Sequence, residues 1–301
     1  LLYSPALIHT PSDHYLLVAE SDVRDYPGMI LKKSGNQGVQ ATFAPFPLEE
    51  VIPVDTLIYS RLKKVSKAGD FIASTVGKRT FPWRVIIATD DPTVLPGSDL
   101  ILKLASPSEI TGDLSWIKPG QITDEWLVNA NLFDVPFKAG KNTQTYLYYI
   151  DFVKEFGLEY IMVDEGWYRN GDLNKLNPDI DLEKIAAYAK EKGIGLGLWF
   201  NATDLDQSLD ETLSYYSKLG VSLVLVDFIN RNDQKAMNFY EKLAIACAKY
   251  QVMLNLHSAP TPAGFEITFP NAITREGVMG SEWNGWTNFV TPSHNVTIPF
   301  T

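Results

Sequence analysis

From about residue 121 onward the apolar positions alternate between two periods. In Thr143–Phe156 they recur every three to four residues, with Leu147, Ile150 and Val153 on one face, and Gly157 stands where a helix C-terminus favours glycine. A short apolar run of strand type, Leu158–Val163, follows. The unit then repeats three times. A helix over Leu182–Lys192 ends at Gly193 and feeds Ile194–Phe200. A helix over Gln207–Lys218 turns Leu209, Leu213, Tyr216 and Leu219 inward, ends at Gly220 and feeds Val221–Phe228. A helix over Asp233–Tyr250 carries Met237, Tyr240, Ala244 and Cys247 at spacings of three and four and feeds Val252–Leu256. Nearly all-apolar strands behind amphipathic helices predict a parallel sheet covered on both faces. With Gln121–Val128 before the first helix and Asn271–Thr274 at the end, about six strands are expected.

In residues 1–119 the punctuation is different, since 11 of the 18 prolines fall there and no helical period is sustained. Short runs rich in Val, Ile, Thr and Tyr (Tyr15–Val18, Thr56–Tyr59, Phe71–Thr75, Val85–Thr89 and Leu100–Leu104) read as strands of an antiparallel sandwich. Two domains follow: residues 1–115, the later part of a β-sandwich, and 116–301, a (β/α) barrel of TIM type that stops after about six strands. The open doubly wound alternative would need a glycine-rich phosphate turn between strand and helix, whereas Gly193, Gly195 and Gly197 lie before and within a strand. The chain starts Leu-Leu-Tyr and stops at Ile-Pro-Phe-Thr, so a piece of a longer protein is expected.

Composition narrows the function. Lys and Arg number 26 against 36 Asp and Glu, a net charge of −10, which argues against nucleic acid as a partner. No apolar run approaches the roughly 20 residues of a bilayer span. The single cysteine, Cys247, cannot form an intrachain disulfide. Barrel chemistry belongs at the C-terminal ends of the strands. Those positions hold Asp164, Glu165 and Trp167, then Trp199 and Asn201, Asp227, Asn255 and His257, and finally Glu276 and Glu282. Each has an ordinary reading as a strand-end turn residue, and Trp83 and Trp199 one as core aromatics. Asp227 stands out because six uncharged residues precede it and Phe228 and Ile229 follow. A carboxylate so placed lines a site or is costly to bury. Carboxylates among aromatics suit a carbohydrate, and hard oxygen ligands suit calcium. Without a His-Glu-x-x-His motif or a cysteine cluster, zinc is not expected.

Several motifs, in order along almost the whole chain, resemble glycoside hydrolase family 97. They include Glu20–Tyr26, Pro82-Trp-Arg84, Ser115–Pro119, Tyr160–Tyr168 (Tyr-Ile-Met-Val-Asp-Glu-Gly-Trp-Tyr) and Val226-Asp-Phe228 with Arg231–Gln234. Asn255-Leu-His257 with Pro262-Ala-Gly264, Thr274–Asn284 and His294–Phe300 complete the set. The resemblance implies an N-terminal sandwich, a catalytic barrel and a calcium ion in the active site. The family's inverting α-glucosidases place glutamate bases at positions that here are Asn201 and Ser258, and have no acid at the position of Asp227. Its retaining α-galactosidases carry an aspartate nucleophile there. The resemblance therefore implies release of α-linked galactose from oligosaccharides by double displacement, with Asp227 as nucleophile and Glu282 as acid/base. It implies Glu20, Glu276 and Glu282 as calcium ligands, and Trp83, Arg84, Glu165, Trp167, Trp199, Asn201 and His257 as sugar contacts. It also implies a bacterial periplasmic setting. One departure is Leu225, where the retaining branch has lysine. The alternatives are an α-glucosidase of the same family and an inactive carbohydrate-binding fragment.

Overall fold

The computed structural model describes residues 2–35, 38–53, 61–260 and 262–298. Among the described residues the N-terminal third holds eight antiparallel strands: β1 (Leu2–Tyr3), β2 (Ala6–His9), β3 (Tyr15–Ser21), β4 (Met29–Ser34), β5 (Gly38–Phe43), β6 (Pro47–Val51), β7 (Lys64–Ala68) and β8 (Trp83–Thr89). They form sheets β1-β4-β5 and β2-β3-β8 and a hairpin β6-β7. Ala6, Met29 and Leu31 pack with Val18 and Phe43 into a small core.

Two expectations fail here. Leu100–Leu104 is not a strand. Leu100–Lys103 forms a single helical turn, α1, too short for its period to be read, after a 3-10 segment at Pro92–Gly97 whose Thr93 N–H is capped by Asp91. Phe71–Thr75 is irregular; Phe71 stacks on Phe46 at 5.2 Å, and its carbonyl accepts from Phe46 N–H at 2.8 Å, so the apolar residue marks a loop anchor. The expected strand Thr56–Tyr59 lies outside the described residues.

The rest is a six-stranded, all-parallel sheet in sequence order: β9 (Ile122–Thr123), β10 (Tyr160–Val163), β13 (Gly195–Asn201), β14 (Val221–Asp227), β15 (Met253–His257) and β16 (Ala272–Glu276). A hairpin of β11 (Tyr168–Arg169) and β12 (Asp172–Leu176) follows β10. The covering helices are α2 (Thr143–Phe156), α3 (Leu182–Lys192), α4 (Ala202–Gln207), α5 (Leu209–Leu219) and α6 (Gln234–Lys249), with short α7 (Phe265–Thr268) and α8 (Pro292–Thr297) after β15 and β16. This is a truncated TIM-type barrel preceded by sandwich sheets. Among the described residues no helix is long and apolar enough to cross a membrane.

The helix boundaries follow from capping. Asn142, Asp181 and Asp233 side chains accept from the first-turn N–H groups of α2, α3 and α6. Gly157, Gly193 and Gly220 close α2, α3 and α5 with φ of +74°, +72° and +108°, a region that penalises a Cβ. Inside β13 glycine serves close packing: a Cβ on Gly195 would lie 2.2 Å from the Tyr160 ring. One continuous core of sheet and helix residues runs through the barrel.

Candidate active site

Strand register brings the polar residues together at the C-terminal edge of the sheet. Asn201 and Asp227 are partners in the β13–β14 ladder, and His257 and Glu276 are partners in the β15–β16 ladder. His257 links the pairs, with Nδ1 at 2.9 Å from Asp227 Oδ1 and Nε2 at 3.2 Å from Glu276 Oε2. Burial, the largest influence on this imidazole, pulls its pKa down. The hydrogen bonds to Asp227 and Glu276 outweigh it and push the value up to about 10. The two carboxylates thus favour the protonated imidazole, the form that donates from both nitrogens.

Asp227 is buried, and its Oδ1 also accepts from Phe228 N–H at 2.6 Å. Phe228 and Ser258 adopt φ of +63° and +51°, costly for side-chain-bearing residues, at the two turns that end β14 and β15. Glu282 follows β16 in a 3-10 turn, Ser281–Gly285. One ligand atom each from His257, Glu276 and Glu282 lies within 4.8 Å of the others. The two carboxylates suit calcium, a hard cation that takes oxygen ligands. Glu20 is not in this group. It accepts from Met29 N–H at 2.8 Å and pairs with Arg84 at 3.1 Å, its neighbour in the β3–β8 ladder. Burial pushes its carboxyl up, against the lowering effects of Met29 N–H and Arg84. The segment between β3 and β4 nevertheless reaches the barrel, where Gly28 N–H donates to Asn232 O, in the loop after β14, at 2.8 Å.

The aromatic sugar contacts implied by the resemblance divide. Trp167 is 0% exposed; its Nε1–H donates to Trp199 O at 2.7 Å, and its ring meets Phe200 and Tyr216 edge-on, so in this structure it packs in the core. Trp199 is also buried, against Phe228 and Tyr168. Trp83, on β8, is 54% exposed. Asn201 is fully buried, and its Oδ1 caps Thr203 N–H at 2.9 Å while Nδ2 finds no protein acceptor among the described residues. Glu165 Oε2 lies 3.3 Å from Lys141 Nζ.

A second acidic group surrounds the end of β10. Burial, then the charges of Asp124 and Glu125, push Asp164 to about 8 despite Glu165 N–H and Lys141. Glu125 is buried with Oε1 accepting from Tyr146 O–H at 2.6 Å and from Asp164 N–H at 2.9 Å, and Oε2 has no partner among the described residues. Burial raises its carboxyl as well. Both shifts favour the neutral acid over the carboxylate in this group. Trp126, next in the chain, donates its indole N–H to Glu282 Oε1 at 2.7 Å. Sequence reasoning missed Asp124, Glu125 and Trp126 because it extended the first strand to Val128. β9 ends at Thr123, and the three residues form the strand-end loop where barrel chemistry is expected.

The profile described as Glycoside hydrolase 97 matches residues 125–278, and that of the Glycosyl-hydrolase 97 N-terminal domain matches residues 2–107. The chain belongs to glycoside hydrolase family 97. Within the family it is similar to a protein of Bacteroides thetaiotaomicron named retaining alpha-galactosidase, with 34% identity over 308 residues covering 100% of this chain and 46% of that one. It is also similar to a probable retaining alpha-galactosidase of Streptomyces bingchenggensis, at 28% identity over 81% of this chain and 39% of that one. The chain thus spans less than half the length of these relatives. Among solved structures, a family 97 enzyme from Pseudoalteromonas sp. strain K8 in complex with acarbose matches with a TM-score of 0.75 and 25% identity, over 94% of this chain and 45% of that one.

Proposed function

We propose that the protein is a retaining α-galactosidase that releases terminal α-linked galactose from oligosaccharides. The observation that carries this reading is Asp227, a buried carboxylate at the end of β14. Neighbouring positions where the inverting branch would have glutamate bases hold Asn201 and Ser258. The similarity to two proteins named as retaining or probable retaining α-galactosidases supports it.

In the first displacement an Asp227 oxygen attacks the anomeric carbon, the bond to the leaving oxygen breaks, and Glu282 gives that oxygen its proton. In the second, the Glu282 carboxylate takes a proton from water, the water oxygen bonds to the anomeric carbon, and Asp227 leaves as carboxylate. Two inversions give net retention. His257 donates to Asp227 Oδ1 and so orients it, leaving Oδ2 for attack. In this reading Asp164 and Glu165, which follow β10, bind sugar hydroxyls. The test is the anomer formed first: proton NMR of early 4-nitrophenyl α-galactoside hydrolysis should show α-galactose. First-formed β-galactose, or turnover of the α-glucoside alone, would refute the assignment.

Calcium belongs to the same reading, with Glu276 and Glu282 holding it and Glu20, now bonded to Met29 N–H and Arg84, as a further ligand. When bound, the cation would polarise sugar hydroxyls and help to organise the side chains around it. Titration calorimetry with calcium chloride should show one site that Glu276→Gln weakens at least about tenfold, consistent with loss of a charged ligand. Equal affinity in the variant would remove Glu276 from the site.

A further inference from the structure

β9 and β16 are the two outer strands of the six-stranded sheet, yet the loops leaving them meet across the mouth of the barrel. The meeting point is the hydrogen bond from Trp126 Nε1–H to Glu282 Oε1, between residues 156 positions apart in the chain. Among the described residues this is the side-chain hydrogen bond that Glu282 makes. Its 3-10 turn has no side-chain cap, and the residue is half-buried.

Trp126, by contrast, is clamped. Its own N–H donates to Asp124 Oδ1 at 2.9 Å, and its carbonyl accepts from Asn129 N–H at 3.0 Å. Buried Glu125 ties the loop to Tyr146 and to the Asp164 backbone. The Lys141 ammonium lies 5.1 Å from the centroid of the indole ring, a cation–π contact that fixes its tilt.

An indole N–H can donate and cannot accept. Glu282 Oε1 is therefore an acceptor in either protonation state, and the proton of the acid form resides on Oε2. We infer that Trp126 is a positioning residue for the proposed hydrolysis, holding Oε1 of Glu282 so that Oε2 alone exchanges the proton with the leaving group and then with water. The inference rests on Glu282 being the proton donor.

The test uses the protein at its natural length and compares kcat/KM, which reports the first displacement, on two α-galactosides. Methyl α-galactoside has a strongly basic leaving group that needs the proton, and 4-nitrophenyl α-galactoside has a weakly basic one that scarcely does. Trp126→Phe keeps a ring and removes the N–H. It should lower kcat/KM on the methyl glycoside roughly tenfold to a hundredfold, the range of a lost hydrogen bond to a charged group, and at least about fivefold less on the nitrophenyl glycoside. Glu282→Gln, measured in parallel, should show the same selectivity with a larger loss. If Glu282→Gln is selective but Trp126→Phe slows both substrates equally, or neither, Trp126 only supports the fold and the inference falls. If Glu282→Gln shows no selectivity, the proton-donor assignment itself is wrong and the inference falls with it.

Discussion

Asp227→Ala is expected to lower kcat on α-galactosides by roughly 10⁴-fold or more, the scale on which loss of a covalent nucleophile is felt. The carboxylate is the group that bonds to the anomeric carbon, and neither Asn201, beside it with an amide, nor Ser258, whose hydroxyl meets the same His257 Nδ1, can replace it. The substitution also leaves the His257 cation with Glu276 as its remaining carboxylate partner. Azide is small enough to enter the space vacated by the side chain. With 4-nitrophenyl α-galactoside it should restore part of the rate and yield β-galactosyl azide, since one inversion then replaces two. Full activity of Asp227→Ala would show that another group attacks. A rescue product of α configuration would contradict the geometry proposed for the nucleophile.

The largest effect on stability is expected at Arg61, in the segment before β7. Its guanidinium reaches across to the barrel and donates to Asp204 Oδ1 through Nη2 at 2.6 Å and Nε at 3.0 Å. The Asp204 side chain is 1% exposed and also accepts from Gly171 N–H at 2.8 Å and from Tyr168 O–H at 3.3 Å. Arg61→Leu leaves a carboxylate buried without its counter-charge. Removing one member of such a pair costs about 3–5 kcal/mol, more than the intact pair contributes over an apolar replacement. Urea unfolding should show that loss for Arg61→Leu and a clearly smaller one for the double variant Arg61→Leu, Asp204→Leu, because the second change removes the stranded charge. A loss below about 1 kcal/mol in the single variant would mean that water reaches Asp204. Arg24–Glu241, Lys63–Asp206 and Arg231–Glu50 link the same two parts of the chain but are more exposed, so each should matter less.

The α-then-β repeat was legible because each helix carries its own start and stop signals. The ends of α2 and α3 follow from Asn142 and Gly157 and from Asp181 and Gly193, which act through backbone groups next to them in the chain. The sandwich was less legible. Strands such as β5 and β7, largely exposed, show no clear alternation, and α1 is shorter than one readable period.

Within the site, the identity of the strand-end residues could be read from the order of strands alone, since a parallel barrel gathers those ends on one face. Their partners could not. His257 meets both Asp227 and Glu276 only through the registers of three strands. Trp167, in a motif that resembles sugar-binding sites, turns into the core because Phe200 and Tyr216 form a slot for it and Trp199 O takes its N–H.

The sequence by itself determined the period, the capping and the placing of acids after apolar strands, all set by interactions within a few residues. Only the tertiary structure decided that Trp126 reaches Glu282, that Glu20 spends its charge on Arg84, and that Arg61 neutralises Asp204. Those contacts join residues between 64 and 156 positions apart in the chain. They arise from strand register and from the docking of sandwich on barrel, which no local pattern encodes.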